Sequence, residues 1–167
     1  MYTPANKNKN YGHISMRQYL KTSWAGVRRT VSEQPRSLQV AALCYRESTD
    51  GKQILLITSR DTKRWILPKG WPIEGLDGPA SALQEAWEEA GVCNATITPE
   101  PLGTYSYDKR LSGGAILPVE ATVYLTLVGT LAQSFPEVEE RTRTWVSPAE
   151  AAKMVDEPEL KAILLEL

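Results

Sequence analysis

Three carboxylates, Glu85, Glu88 and Glu89, follow one another at i, i+3 and i+4, the spacing that stacks side chains on one face of an α-helix. Between Gly70 and Val92 there is no Lys or Arg to compensate them, and each like-charge neighbour pair costs about 0.2–0.5 kcal/mol on an isolated helix. A solvated acidic face is one reading of such a run. The other is a seat for a hard divalent cation, Mg²⁺ or Mn²⁺, whose preference for oxygen donors the carboxylates match. Two details favour the second reading. The acids fall in the last turns of the helix, where the macrodipole opposes negative charge. A loop carrying Gly70, Gly75 and Gly78 precedes it, and glycine lets backbone come close to an ion or ligand. His13 is the one histidine, and Cys44 and Cys93 are the two thiols. A multi-histidine centre, a thiolate zinc site and a disulfide scaffold are thereby excluded. Metal chemistry in this chain runs on carboxylates.

The elements that must position this helix follow from pattern. Leu38 to Arg46 reads as a largely buried strand and Gln53 to Ser59 as a second, joined by a hairpin-type turn from Glu47 to Lys52 that contains Asp50-Gly51. Trp65 to Leu67 is a short strand stopped by Pro68. Pro79 to Ala90 is the acidic helix, with Asp77 or Gly78 at its cap, proline in its first turn and Gly91 at its end. Leu102 to Asp108 returns as a strand. Val119 to Val128 alternates, with Glu120, Thr122, Tyr124 and Thr126 on one face and Ala121, Val123, Leu125 and Leu127 on the other. Arg143 to Val146 is a last strand. Ser147-Pro148-Ala149-Glu150 is a capping box, and a further helix follows Pro158. The sum is a mixed sheet with a few helices.

At 167 residues, 42% of them apolar, the chain is one domain with at most an appendage, and it can bury a core. It has no run of about 18 uncharged apolar residues, so a membrane-spanning helix is not expected. Both cysteines sit beside apolar neighbours and are expected to be buried free thiols in a reducing compartment. Charge is uneven. Residues 1–36 hold seven basic side chains against Glu33 alone, while the remainder holds twelve basic and nineteen acidic ones. This basic arm is open to three readings: a partly flexible solvated tail, an element that helps hold a polyanion, or an organelle transit peptide. It lacks the apolar core of a secretory signal.

The stretch from Gly70 to Val92 resembles the Nudix box, which reads G, five residues, E, seven residues, R-E-U-x-E-E-x-G-U, with U a bulky aliphatic residue. The spacing matches over all 23 positions, and Gly70, Glu85, Glu88, Glu89, Gly91 and Val92 are retained. Leu76 stands for the first glutamate, Gln84 for the arginine and Ala86 for one aliphatic residue. Outside the box, Ala41 to Arg46, Ile54 to Arg60, Arg64 to Gly70 and the Trp145 region are similar to diphosphoinositol polyphosphate phosphohydrolases and related bacterial members. The resemblance implies an α+β fold, an α/β/α sandwich with a mixed β-sheet between helices, occupying residues 37–167. It implies hydrolysis of a phosphoanhydride bond in a nucleoside-diphosphate-linked, dinucleoside polyphosphate or diphosphoinositol polyphosphate substrate.

By position, Glu85, Glu88 and Glu89 become the metal and base cluster for Mg²⁺ or Mn²⁺, with the Lys69 carbonyl as a further ligand and Glu139 or Glu140 as a carboxylate joining from a later loop. Arg60, Lys63, Arg64, Lys69, Gly70, Lys109 and Arg110 are the residues expected to meet phosphate, with Trp71 against the pocket and Tyr105 and Tyr107 either in the core or stacked on a base. Trp65 and Trp87 are expected in the core. The implied partner is a phosphorylated small molecule, with nucleic acid only as a capped RNA end, no membrane, and a cytoplasmic location. Oligomeric state is not readable. Leu76 and Gln84 keep a second class open: a non-catalytic nucleotide- or polyphosphate-binding module on the same fold.

Overall fold

Alternation along one central strand organises the protein. In the computed structural model, which describes residues 35–167, β1 (Ser37–Ser48) sends Ala41 and Leu43 to one face of the sheet and Ala42 and Cys44 to the other. All four are fully buried, as a strand covered on both faces requires. β1 turns into β2 (Gly51–Thr58) through the expected hairpin and pairs with it antiparallel from Tyr45↔Ile54 to Ser48↔Gly51. The short strands β3 (Trp65–Ile66) and β4 (Lys69–Gly70) pair with β2 and β1 respectively. After helix α1 (Gly78–Ala90) come β5 (Val92–Ile97), β6 (Gly103–Arg110) and the long β7 (Ile116–Leu131). β7 runs parallel to β1, from Ser37↔Val119 to Tyr45↔Leu127, and antiparallel to both β5 and β6. β8 (Arg143–Val146) pairs with β2, and α2 (Pro148–Met154) and α3 (Pro158–Leu165) close the chain.

Two apolar clusters sandwich this mixed sheet. On one face Ala82, Ala86 and Ala90 of α1, four residues apart, lie against Val40, Ala42, Leu55, Ile57 and Val128. Their small side chains let the helix approach closely, and the substitution of Ala86 for a bulky residue is accommodated at full burial. On the other face Ala151 of α2, Val155 just beyond its end, and Leu160 and Leu164 of α3 cover Leu43, Leu56, Tyr105 and Val123. The α/β/α arrangement is as expected. No described helix is long and apolar enough to cross a membrane. Residues 1–34 of the basic arm lie outside the described residues.

Two readings are corrected. Cys44 is buried, and burial pushes its thiol up to about 12, but Cys93 is exposed. The reason is that Val92–Ile97 forms a strand at the sheet edge, which the sequence pattern does not announce, and its alternate residues point to solvent. Trp87 is only partly buried, because the alanines rather than the tryptophan carry the sheet-facing side of α1.

Candidate active site

Local sequence sets the acidic helix in place. Asp77 caps α1, its carboxylate accepting the Ala80 N–H at 2.8 Å, and Pro79 occupies the first turn. Gly91 ends it at φ 70°, a left-handed conformation that favours glycine. The helix end has no basic residue of its own. Compensation comes from the far end of the chain: the Arg143 guanidinium donates to the Ala90 carbonyl at 2.8 Å and caps the negative pole.

The three box carboxylates have different surroundings. Glu85 lies directly over Gly70, where a side-chain carbon would fall 2.0 Å from Glu85 Oε1; glycine at 70 is the space the carboxylate occupies. Burial, with the charges of Glu89, Glu88 and Glu137, pushes Glu85 up to about 7. Glu88 accepts from Gln84 Nε2 at 2.7 Å, so the neutral residue in place of the box arginine still orients a glutamate. Glu89, 7% exposed, accepts the backbone N–H of Lys69 at 2.9 Å and an N–H from the Arg141 guanidinium. Burial raises Glu89, and Arg141 and the Lys69 N–H partly offset that.

Arg141 is the residue that sequence reasoning missed. Its side chain is 4% exposed and also bonds Glu137 through Nε at 2.7 Å and the Thr58 carbonyl at 3.0 Å. Glu137, rather than Glu139 or Glu140, is the later-loop acid beside the box helix, its backbone N–H donating to the Glu88 carbonyl at 3.1 Å. Glu139 is exposed, and Glu140 faces Arg60 at 3.8 Å.

The donor set fits a hard divalent cation in its chemistry: clustered carboxylates outnumber the cations near them, and Glu85 is raised by burial first and by its acidic neighbours second. Glu85 and Glu88 are the carboxylates that would turn to an ion, since Glu89 is held by Arg141 and Lys69. Among the described residues no three His, Cys, Asp or Glu side chains form a group arranged to hold a metal. A consequence can be measured in metal-free protein. Because Glu85 binds its proton more tightly folded than unfolded, the folded state holds the extra proton between the ordinary glutamate range and about pH 7. Stability is therefore expected to fall as pH rises through that window. Glu85→Gln should flatten the dependence in melting temperature; an unchanged slope would refute this account.

Beside the helix lies a cavity of about 930 Å³, and Arg60, Arg64, Lys69, Lys109, Arg110 and Arg141 all line it. They are not equally available. Arg60 is drawn to Glu137 and Glu140, and Arg64 to Asp156 at 2.9 Å and Glu157 at 3.4 Å. Lys63 donates to the Glu140 carbonyl. Lys69 lies over the Tyr107 ring at 5.0 Å, and burial lowers its ammonium to about 8. Lys109 sits over the exposed Trp71 ring at 4.9 Å. Tyr105 is in the core, whereas the half-buried Tyr107 lines the cavity and donates to Gln39.

The NUDIX domain family model matches residues 37–166. Nudix hydrolase 16, mitochondrial, of Arabidopsis thaliana is 33% identical over 125 residues, covering 71% of this chain and 68% of that protein. Diphosphoinositol polyphosphate phosphohydrolase 3-alpha of Mus musculus is 38% identical over 66 residues, 38% of this chain and 39% of the relative. Among solved structures, the C. elegans Ap4A hydrolase superposes with a TM-score of 0.61 at 20% identity, covering 79% of this chain and 96% of that one.

Proposed function

The chain belongs to the NUDIX domain family and is a hydrolase of phosphoanhydride bonds; on that premise we propose that it works with Mg²⁺ or Mn²⁺ on a nucleoside-diphosphate-linked, dinucleoside polyphosphate or diphosphoinositol polyphosphate substrate. The observation that carries the reading is the adjacency of two things: an acidic helix end with Glu85 raised to about 7, and a cavity walled by Lys69, Lys109 and Arg110. Ammonium and guanidinium groups there bind phosphate oxygens directly. Glu85 and Glu88, with the Lys69 carbonyl, are the oxygen donors that would hold the ion. When bound, a divalent ion supplies charge neutralisation of the diphosphate and eases deprotonation of water. Arg141 holds Glu89 and Glu137 in place, and Glu89 in turn holds the Lys69–Gly70 backbone. The cytoplasm is the proposed location; the mitochondrial relative keeps the transit-peptide reading of residues 1–36 in play.

The binding-module alternative draws on Leu76, whose apolar side chain is 45% exposed and has no carboxylate to offer the loop, and on the neutral Gln84. One experiment separates the two. Turnover of a panel of pyrophosphate compounds should require Mg²⁺ or Mn²⁺ and vanish in excess chelator, while the same ions raise the melting temperature. Undiminished turnover in chelator would sink the metal mechanism. Ion-induced stabilisation without turnover of any compound would favour the module.

A further inference from the structure

Glu157 lies in the wall of the cavity at the start of α3 and is 7% exposed. One of its oxygens stands 3.4 Å from Arg64 Nη1, a nitrogen that is closer to Asp156, at 2.9 Å. The other oxygen, Oε2, is buried with no hydrogen-bond partner among the described residues. Helix capping does not account for it, because the Glu157 side chain makes no capping bond to α3. A buried acceptor without a donor is costly and rare in folded proteins. The group that completes it must bring an O–H or N–H. A fully ionised phosphate cannot: its oxygens only accept, and it adds like charge.

We propose that Glu157 is the specificity-determining residue of this cavity, its unpartnered oxygen accepting from a hydroxyl or amino group on the non-phosphate part of the ligand while Lys69, Lys109 and Arg110 meet the phosphates. The inference rests on the cavity being the substrate pocket, as argued above. A ligand that keeps a free donor, such as a nucleotide with its ribose diol and base amine, satisfies both walls. A polyol with every hydroxyl phosphorylated satisfies the basic wall and meets the carboxylate with repulsion. The other acids in the lining do not offer the same opening: Glu89 is taken by Arg141 and Asp156 by Arg64, while Asp61 and Asp108 are exposed, where water already meets their oxygens.

The test uses adenosine monophosphate and myo-inositol hexakisphosphate as probes, titrated into the full chain with Mg²⁺ present. Neither contains a phosphoanhydride bond, so affinity is read at equilibrium and stands apart from any failure to find turnover. Glu157→Leu is expected to weaken adenosine monophosphate at least about tenfold, the scale of one buried hydrogen bond to a charged group, and to leave the hexakisphosphate unchanged or bound more tightly. Glu157→Gln keeps the volume and one acceptor and should fall between parent and Glu157→Leu. If Glu157→Leu does not fold, Glu157→Gln decides, with a weakening of at least about twofold for the nucleotide alone. The proposal is overturned if nucleotide affinity stays within twofold of the parent in the deciding variant, if both probes weaken in parallel, or if the parent binds no adenosine monophosphate.

Discussion

Glu88→Gln is expected to cut kcat by at least about 10²-fold, the scale on which an impaired general base or metal-assisted water activation is felt, with the metal-free fold intact. The glutamine keeps an acceptor for Gln84 Nε2 and the helix propensity of the parent. It removes one of the charges that raise Glu85, so metal-free stability should hold level or rise by a few tenths of a kcal/mol. Metal-induced stabilisation should shrink at the same time. Turnover and melting temperature with and without Mg²⁺ read all three. Near-parent activity would mean that Glu88 is not a site residue. On helix spacing alone Glu89→Gln should behave alike. The structure separates them: Glu89 is paired with a buried guanidinium, so its replacement should also lower metal-free stability.

Arg141→Ala is expected to be the more damaging change to the fold. It leaves Glu89 and Glu137 side by side without their shared cation and deprives the Thr58 carbonyl of a donor. Breaking a buried pair from one side costs about 3–5 kcal/mol. Arg141→Lys should recover only part of this, because an ammonium lacks the planar fork that reaches three partners at once. Denaturant titration of both variants gives the figure, and a loss below about 1 kcal/mol for Arg141→Ala would show that solvent already screens the network.

Arg141 also marks the boundary of what was legible in the chain. The box could be read because its logic is local: cap, helix, carboxylate spacing and closing glycine lie within 23 positions. A mixed sheet with a few helices followed from the run of Leu38 to Arg46, read as a largely buried strand, and from the capping box at Ser147, which the structure retains with both reciprocal bonds. The α/β/α sandwich followed from the resemblance of the box. What escaped depends on long-range pairing. Nothing near Arg141 says that it will meet Glu89, since its partner is 52 positions away. The same holds for Glu137 against Glu139 and Glu140: three acids in one loop look equivalent until the turn aims one of them at the helix. Cationic residues counted as phosphate contacts on charge alone divided likewise, Arg60 and Arg64 finding acids while Lys69 and Lys109 found aromatic rings.

The parallel pairing of β1 with β7 has a consequence for how the chain is made. Each β1 residue from Ser37 to Tyr45 waits for a partner between Val119 and Leu127. At a ribosomal rate of about 5–20 residues per second, the intervening stretch of about 80 residues takes roughly 4–16 s to synthesise. During that interval the nascent hairpin of β1 and β2 presents one long unpaired edge, with Ala41–Cys44 in the middle of it, the kind of edge that recruits strands from other chains. The acidic helix is complete by Ala90, yet the cations that settle it, Arg141 and Arg143, are made about fifty residues later. Translation thus produces the charge problem before its solution.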